Sequence, residues 1–232
     1  MIKSLFKSAV AFAAIGFSAV AMATPVYEYN IDNPPGSANG GDITNIYTNY
    51  DADNSLFHWS STLTQTNGQF TDGFWLVISD GPNPKSQGGE YAIMCGDLNT
   101  GILTINTYNG VNGNNSCYDS AGFIDSTSAG FISVSDSGTS RTFSFTLDVA
   151  DINDYNKDPD WDGISFAENI GVWFHPSRGS VFNYDSNNQL TSYSFAGQGW
   201  YDTKDRTTTP VPTPASILLF ALGLPLMLRR RR

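Results

Sequence analysis

The stretch that decides the fold is residues 141–149, Arg-Thr-Phe-Ser-Phe-Thr-Leu-Asp-Val, in which apolar and polar residues alternate. This spacing places Phe143, Phe145, Leu147 and Val149 on one face and polar side chains on the other. Successive side chains of a strand point to opposite faces, so the pattern predicts a half-buried β-strand. One such strand needs partners, and the rest of the chain supplies them.

Further short runs of apolar, aromatic and β-branched residues are separated by clusters of Gly, Pro, Asn and Asp, which is typical of strands joined by turns. The runs are Leu56–Leu63, Gly73–Ser79, Tyr91–Met94, Ile102–Tyr108, Phe131–Val134, Ile170–His175, Val181–Tyr184 and Leu190–Phe195. Among the acidic residues, 19 are Asp and three are Glu, and Asp favours turns over helix interiors. We therefore predict an all-β domain over residues 24–202, an antiparallel two-sheet β-sandwich with a jelly-roll or lectin-like layout.

The charge of the chain is strongly uneven. All 22 acidic residues lie within 24–209, together with only six of the 12 basic residues, so this body carries a net charge of −16. Binding to a phosphate backbone needs clustered Lys and Arg. The composition therefore argues against a nucleic-acid partner.

Cys95 and Cys117 are the only cysteines. An even pair without neighbouring His does not suggest a zinc site. In an exported chain the pair predicts one disulfide, which would join the strand over 91–94 to the Asn- and Gly-rich loop over 109–116.

An Asp-rich run suggests calcium as a cofactor. Asp158, Asp160 and Asp162 precede Gly163 in the D-x-D-x-D-G spacing of a calcium loop. Glu168 is a further candidate ligand, although it falls one residue short of the bidentate position of an EF-hand. The alternative is a solvated loop whose carboxylates cap turns.

Aromatic residues in turn contexts suggest a glycan-binding module, which stacks rings on sugars beside a few fixed polar groups. The candidates are Trp161 in the Asp-rich run and Trp200 with Tyr201 after a Gly-Gln-Gly turn. Ordinary packing is the alternative for each of them. Trp75 and Trp173 lie in strand runs and are predicted to be core residues.

Signals for catalysis are weak, and we predict a non-enzymatic protein. The sequence contains no G-x-S-x-G motif. His58 and His175 are each predicted to be a strand residue with a hydrogen-bonded ring. Glu90 and Glu168 would be the carboxylates of a glycan hydrolase, the least favoured alternative, but no spacing supports that role.

Residues 1–23 have the features of a secretory signal peptide. Lys3 and Lys7 precede the apolar run Ala9–Met22, and Ala21-Met22-Ala23 forms an A-x-A cleavage site.

The other end combines a polar spacer over 203–210 with the motif Val211-Pro212-Thr213-Pro214-Ala215 and an arginine cluster over 229–232. Between the motif and the arginines, Ile217–Leu228 forms an unbroken apolar segment. As a helix it would be about 18 Å long, against a hydrocarbon core of ~30 Å. The arginines favour the cytoplasmic side of the membrane. We expect the segment over 216–228 to contact the inner membrane transiently, as a short hydrophobic helix.

The order of motif, apolar helix and arginine cluster over 211–232 resembles the PEP-CTERM sorting signal, in the V-P-x-P-A form with Thr213 at the variable position. An ordinary single-span anchor is the alternative. The resemblance implies an exosortase as the processing partner and export through the inner membrane of a Gram-negative bacterium, with cleavage near Pro212–Ala215. It further implies a destination at the cell surface or in the extracellular matrix, where an exopolysaccharide or another surface glycan would be available as a partner.

Overall fold

The computed structural model describes residues 26–79, 91–108, 117–155, 161–164, 171–202 and 209–211. In these residues almost all regular structure is antiparallel β, arranged in two main sheets and a small hairpin. The predicted all-β, two-sheet antiparallel architecture is confirmed.

The described strands, in chain order, are β1 (Val26–Asp32), β2 (Asp42–Asp51), β3 (Leu56–Thr64), β4 (Gly73–Ser79), β5 (Tyr91–Asp97), β6 (Ile102–Tyr108), β7 (Phe123–Ser126), β8 (Ser133–Ser137), β9 (Ser140–Asp148), β10 (Gly171–Arg178), β11 (Val181–Tyr184), β12 (Leu190–Ser194), β13 (Gly197–Gln198), β14 (Tyr201–Asp202) and β15 (Thr209–Val211). A 3₁₀ turn spans Ala38–Gly40, and one short helix, α1, spans Val149–Asn153.

Consecutive strands are neighbours in most of both sheets. The first sheet has the order β15-β1-β2-β3-β9-β8, and the second has the order β13-β10-β4-β5-β6-β7, with β14 also pairing with β10. In the second sheet β10 returns beside β4, the first strand of a meander, which is the strand order of a Greek key. The remaining hairpin pairs β11 with β12.

The core lies between the two sheets and is rich in aromatic rings. Phe143 on β9 and Phe74 on β4 stack with ring centroids 4.8 Å apart, and Trp59 on β3 tilts against Phe174 on β10 at 5.2 Å. All four side chains are fully buried. The predicted inward face of residues 143–147 is therefore confirmed, and it closes the sandwich from the first sheet.

The hairpin β11–β12 covers the outer face of the second sheet. Leu190 of the hairpin is buried against Val77 and Ile93 in a second hydrophobic cluster, to which Trp75 and Trp173 contribute partly buried rings. Trp75 and Trp173 therefore pack beneath the hairpin, whereas their position in strand runs predicted them to be core residues. The outer face of the first sheet has no such cover among the described residues.

Six described strands were not predicted from the sequence patterns: β1, β2 and β7, and the short strands β13, β14 and β15. In β2 the register shifts between Ile43 and Asn45, so that the inward residues Ile43 and Ile46 are three positions apart rather than two. A bulge of this kind inserts one residue and breaks the alternation on which the prediction depends. In β1 the polar residues Glu28, Asn30 and Asp32 alternate with Tyr29 and Ile31, which is itself a strand pattern that was overlooked in the sequence.

The strand β9 ends at Asp148, one residue before the predicted end. The Asp148 carboxylate accepts a hydrogen bond from the Ala150 amide at 2.9 Å and thereby caps α1. Asp is a favoured N-cap residue, so the local chemistry starts a helix where the strand alternation alone would continue. Val149 is buried as expected, but it is the first residue of α1.

Of the predicted C-terminal spacer and sorting motif, the structure describes residues 209–211. Residues 209–211 pair with β1 as an edge strand, with Val211 opposite Val26, so the last residues of the predicted spacer and the first residue of the sorting motif extend the first sheet. The signal peptide over 1–23, the rest of the spacer, and Pro212, Thr213, Pro214, Ala215 and the apolar segment lie outside the described residues. No helix in the described part of the chain is long and apolar enough to cross a bilayer.

Candidate ligand-binding face

The outer face of the first sheet carries a regular lattice of polar side chains, which we call the polar face. Because cross-strand partners share a face, the strand register defines its members. The lattice has three rows: Thr209, Glu28, Asn49, His58 and Thr146 in the first; Asn30, Tyr47, Ser60, Ser144 and Ser133 in the second; Asp32, Asn45, Thr62, Thr142 and Ser135 in the third. Every member except Thr209, whose side chain is not described, is half-buried or exposed.

A chain of hydrogen bonds links β1 to β2 in the middle of this face. The Tyr47 hydroxyl donates to Glu28 Oε1 at 2.8 Å and accepts from Asn49 Nδ2 at 2.8 Å. Both contacts hold the Tyr47 side chain in one orientation above the sheet. Burial raises the pKa of Tyr47, and the neighbouring Glu28 adds to that rise, while the hydrogen bond from Asn49 opposes it. Tyr47 is therefore neutral at physiological pH and presents a phenol, not a phenolate.

His58 continues the first row on β3. Its Nδ1 lies 3.0 Å from Thr146 Oγ1 on β9, and its ring lies 6.0 Å from the Tyr47 ring, centroid to centroid. Burial lowers the pKa of His58 below its ordinary value. The predicted hydrogen-bonded strand histidine is confirmed, and its ring is uncharged at neutral pH.

The third row is held in the same way. Asn45 Nδ2 donates to Asn30 Oδ1 at 2.8 Å and to Asp32 Oδ1 at 2.9 Å, and the hydroxyls of Thr62 and Thr142 are 2.8 Å apart. Side chains fixed by their neighbours lose little further freedom when a ligand binds. The polar face is thus preorganised on rigid strands.

Several atoms of the first row keep hydrogen-bonding capacity. Glu28 bonds to the described residues through Oε1 alone, Asn49 through Nδ2 alone, and His58 through Nδ1 alone. The second carboxylate oxygen of Glu28 and the amide oxygen of Asn49 are acceptors, and His58 Nε2 donates or accepts according to tautomer. Leu56, 37% exposed, lies beside His58 on the same face and adds an apolar contact. Such a surface can hydrogen-bond a polyhydroxylated ligand laid across the strands.

The aromatic residues singled out in the sequence have three different environments. Trp161 is buried, and its Nε1 donates to the Ile152 carbonyl at 3.2 Å, so its ring packs in the core. Tyr201 is fully buried and its hydroxyl hydrogen-bonds that of Tyr29, which ties the two sheets together. Neither ring offers a face to a ligand. Trp200 is 50% exposed and lies at the β10 edge of the second sheet, where its carbonyl accepts a hydrogen bond from the Ser37 amide.

The candidate calcium ligands are mostly beyond the described part of the chain. Asp158, Asp160 and Glu168 lie outside it, and so does Glu90, the other carboxylate considered for hydrolysis. Asp162 is described and exposed. Within the described residues no group of three or more His, Cys, Asp or Glu side chains could hold a metal ion.

The predicted disulfide is confirmed. Cys95 on β5 is bonded to Cys117, with their Cα atoms 5.8 Å apart. Both residues are buried in the cluster on the outer face of the second sheet.

A cavity of about 190 Å³ opens at the side of the sandwich between β7, β9 and α1. Its walls include Ile105, Leu147 and Ile152, and Asp125 and Asp148 lie at its rim. Each of these two carboxylates accepts a hydrogen bond from a nearby backbone amide, which gives it a local structural role.

The sequence analysis did not identify Glu28, Tyr47 or Asn49 because it did not predict β1 or β2. The signal that could have found them is the alternation Asn45-x-Tyr47-x-Asn49, a polar face on a strand whose apolar face is broken by the bulge. His58 was noted only as a strand residue. Its place in a row across the sheet depends on register, which no single strand contains.

Fold and site together define an antiparallel two-sheet β-sandwich in which a hairpin covers one outer sheet face, while the other is polar and is not covered by any segment that the structure describes. No protein-family model matches the chain, and no curated protein or solved structure is significantly similar to it.

Proposed function

We propose that this protein is an exported, non-enzymatic component of the cell surface or extracellular matrix, sorted by an exosortase, and that it binds an exopolysaccharide or another surface glycan through the polar face. The observation that carries the binding role is the lattice itself, three in-register rows of hydroxyl, amide and carboxylate groups on rigid strands. This is a lectin-like use of a β-sandwich, with the ligand laid across a sheet. Sorting by an exosortase is supported by the sequence of the two ends.

The binding role is tested by electrophoresis of the protein, purified in the form that the cell exports, through native gels containing the exopolysaccharide of the producing organism. We expect retardation, because the acidic protein migrates well and a bound polymer slows it. Tyr47→Phe removes one hydroxyl, and Asn49→Ala removes an acceptor and the bond to Tyr47. Each substitution is expected to raise the dissociation constant for the polymer, obtained from the dependence of mobility on polymer concentration, by roughly fivefold to tenfold. This corresponds to the loss of about one hydrogen bond to a polar ligand.

Matched controls separate the polar face from the rest of the surface. Tyr118→Phe and Asn183→Ala make the same chemical changes at exposed positions elsewhere, at Tyr118 before β7 and at Asn183 on the β11–β12 hairpin. Retardation that is lost equally in the controls, or that is unchanged in both test variants, would contradict the assignment of the polar face. Adding or chelating calcium in the same gels, with Asp160→Ala alongside, tests the calcium loop independently.

Sorting is tested in the producing cells. Pro212→Ala combined with Pro214→Ala alters the motif without changing the apolar segment or the arginines. We expect the altered chain to keep its tail and to accumulate at the inner membrane, detected by fractionation and by the mass of the chain. Normal release of a shortened chain would contradict exosortase sorting and leave the glycan-binding proposal untouched.

A further inference from the structure

The polar face has a charge and a hydrogen-bonding character that together select among glycans. This inference rests on the proposed glycan-binding function and concerns the same surface. Five described acidic residues lie on the outer face of the first sheet: Glu28 and Asp32 within the lattice, Asp51 and Asp148 in the row on one side of it, and Asp42 in the row on the other side. Glu28 occupies the first row, beside Asn49 and Tyr47.

The described residues include two bases, and neither lies on this face. Arg141 is opposite Leu63, whose side chain points into the core, and its guanidinium bonds the Asp136 carboxylate at 2.7 Å and the Thr71 carbonyl at 2.8 Å. Arg178 is on β10 of the second sheet and bonds Asn39 and Gln69. An anionic polymer on the polar face would therefore meet carboxylates without a compensating described cation.

The hydrogen-bonding atoms of the first row that have no partner among the described residues also favour an uncharged ligand. Glu28 Oε2 and Asn49 Oδ1 accept hydrogen bonds and cannot donate them. A sugar hydroxyl can donate to either atom, whereas a carboxylate or sulfate group has acceptors alone. A carboxylate or sulfate group placed against these two atoms would make neither bond and would add like-charge repulsion at short range.

We propose that the polar face binds uncharged, hydroxyl-rich polysaccharides and discriminates against polyuronates and sulfated glycans. Glu28 is the specificity-determining residue of this selection, because it combines the negative charge with the open acceptor in the first row. The hydroxyls of Ser60 and Ser144 in the next row can both donate and accept, so they contact a neutral chain without opposing it.

The test uses two pairs of polymers that share a backbone, one member neutral and the other carrying carboxylates: dextran with carboxymethyl-dextran, and hydroxyethyl-cellulose with carboxymethyl-cellulose. The exported protein is run through native gels containing each polymer, and dissociation constants come from the dependence of mobility on polymer concentration. In at least one pair we expect the neutral polymer to bind about tenfold more tightly than its carboxymethyl derivative at ~0.01 M salt. The ratio should shrink at ~0.5 M salt, where repulsion is screened.

Glu28→Gln removes the charge and keeps an oxygen that can accept from Tyr47. This substitution should lower the ratio of the dissociation constant for the carboxymethyl polymer to that for the neutral polymer by roughly fivefold. Asp185→Asn, in the turn of the β11–β12 hairpin that covers the outer face of the second sheet, changes the net charge by the same amount and should leave this ratio nearly unchanged. The salt dependence of the wild-type protein gives a second readout that does not depend on either variant folding.

Three results would count against the inference, and they differ in what else they affect. Equal or tighter binding of a carboxymethyl polymer overturns the selection for neutral glycans and leaves glycan binding in place. A ratio for Glu28→Gln that matches the ratio for Asp185→Asn overturns the role of Glu28. Binding to none of the four polymers, together with no retardation in the organism's own exopolysaccharide, overturns both this inference and the proposed function.

Discussion

Phe74 in the second sheet stacks almost parallel on Phe143 in the first, with ring centroids 4.8 Å apart and an interplanar angle of 13°. Both rings are fully buried. The Phe174 ring is tilted against both, with its centroid 6.1 Å from that of Phe74 and 6.0 Å from that of Phe143. The contact spans the interface between the sheets, so the two halves of the sandwich depend on it. It also places the alternating stretch that decides the fold directly against the strand across from it.

Phe143→Ala is therefore expected to lower the free energy of unfolding by about 3–5 kcal/mol, since it removes a buried ring and leaves a cavity between the sheets. Urea denaturation followed by tryptophan fluorescence measures this change. Phe195→Ala is the matched control, because Phe195 is 43% exposed and exposed positions of this kind rarely change stability by more than ~0.5 kcal/mol. An equal loss of unfolding free energy in the two variants would show that Phe143 contributes no more to stability than an exposed ring.

Gly96→Ala is expected to destabilise the protein because Gly96, opposite Phe74 on β5, leaves the space that the Phe74 ring fills. A Cβ at position 96 would overlap that ring. Overpacking of this kind costs about 1–3 kcal/mol. In a double-mutant cycle with Phe74→Leu, the smaller side chain should recover part of the loss. Additive effects of the two substitutions would exclude the steric explanation.

Reduction of the Cys95–Cys117 disulfide is expected to lower the unfolding free energy by about 3 kcal/mol, because the bond closes a loop with a sequence separation of 22 residues. Denaturation curves with and without a reductant give the difference. The double variant Cys95→Ala/Cys117→Ala should be as unstable as the reduced protein and should not respond to the reductant. A reductant effect that persists in the double variant would mean that the disulfide is not its target.

The pH dependence of stability should include a contribution from His58. Burial lowers the pKa of folded His58, whereas the unfolded residue titrates near its ordinary value of about 6.5. Between these two values the unfolded state binds more protons, so stability is full above pH ~6.5 and falls as the pH drops through this window. Below the folded pKa the loss levels off.

His58→Gln provides the comparison for that contribution, because it keeps a hydrogen-bonding side chain opposite Thr146 and removes the titration. As the pH is lowered from 7 to the folded pKa of His58, the urea midpoint of the wild type should fall more than that of His58→Gln. The difference between the two midpoints should therefore shrink. A parallel pH profile in the two proteins would assign the acid sensitivity to other groups, such as the Asp136 carboxylate, whose pKa is held low by its hydrogen bond to Arg141.

Local sequence patterns predicted much of the fold. Most strands with regular alternation or a continuous apolar run were predicted, with β1 as an exception, and β4, β6 and β11 begin and end at the predicted residues. The disulfide was predicted from composition, since the chain has only two cysteines. Strand ends were less predictable, because a single side chain such as Asp148 can cap a helix and stop a strand.

The sequence by itself determined the all-β class, the inward face of residues 143–147, the disulfide and the acidic charge of the body, because each depends on residue type and on spacing along one segment. Only the tertiary structure decided that Glu28, Asn49, His58 and Thr146 lie in one row, and that Trp161 and Tyr201 are buried while Trp200 is exposed. Register between strands and burial by distant segments set these properties. A one-residue shift at the bulge after Ile43 would move Asn49 and the other β2 residues beyond the bulge to the opposite face of the first sheet. Nothing within a single strand records which register is adopted.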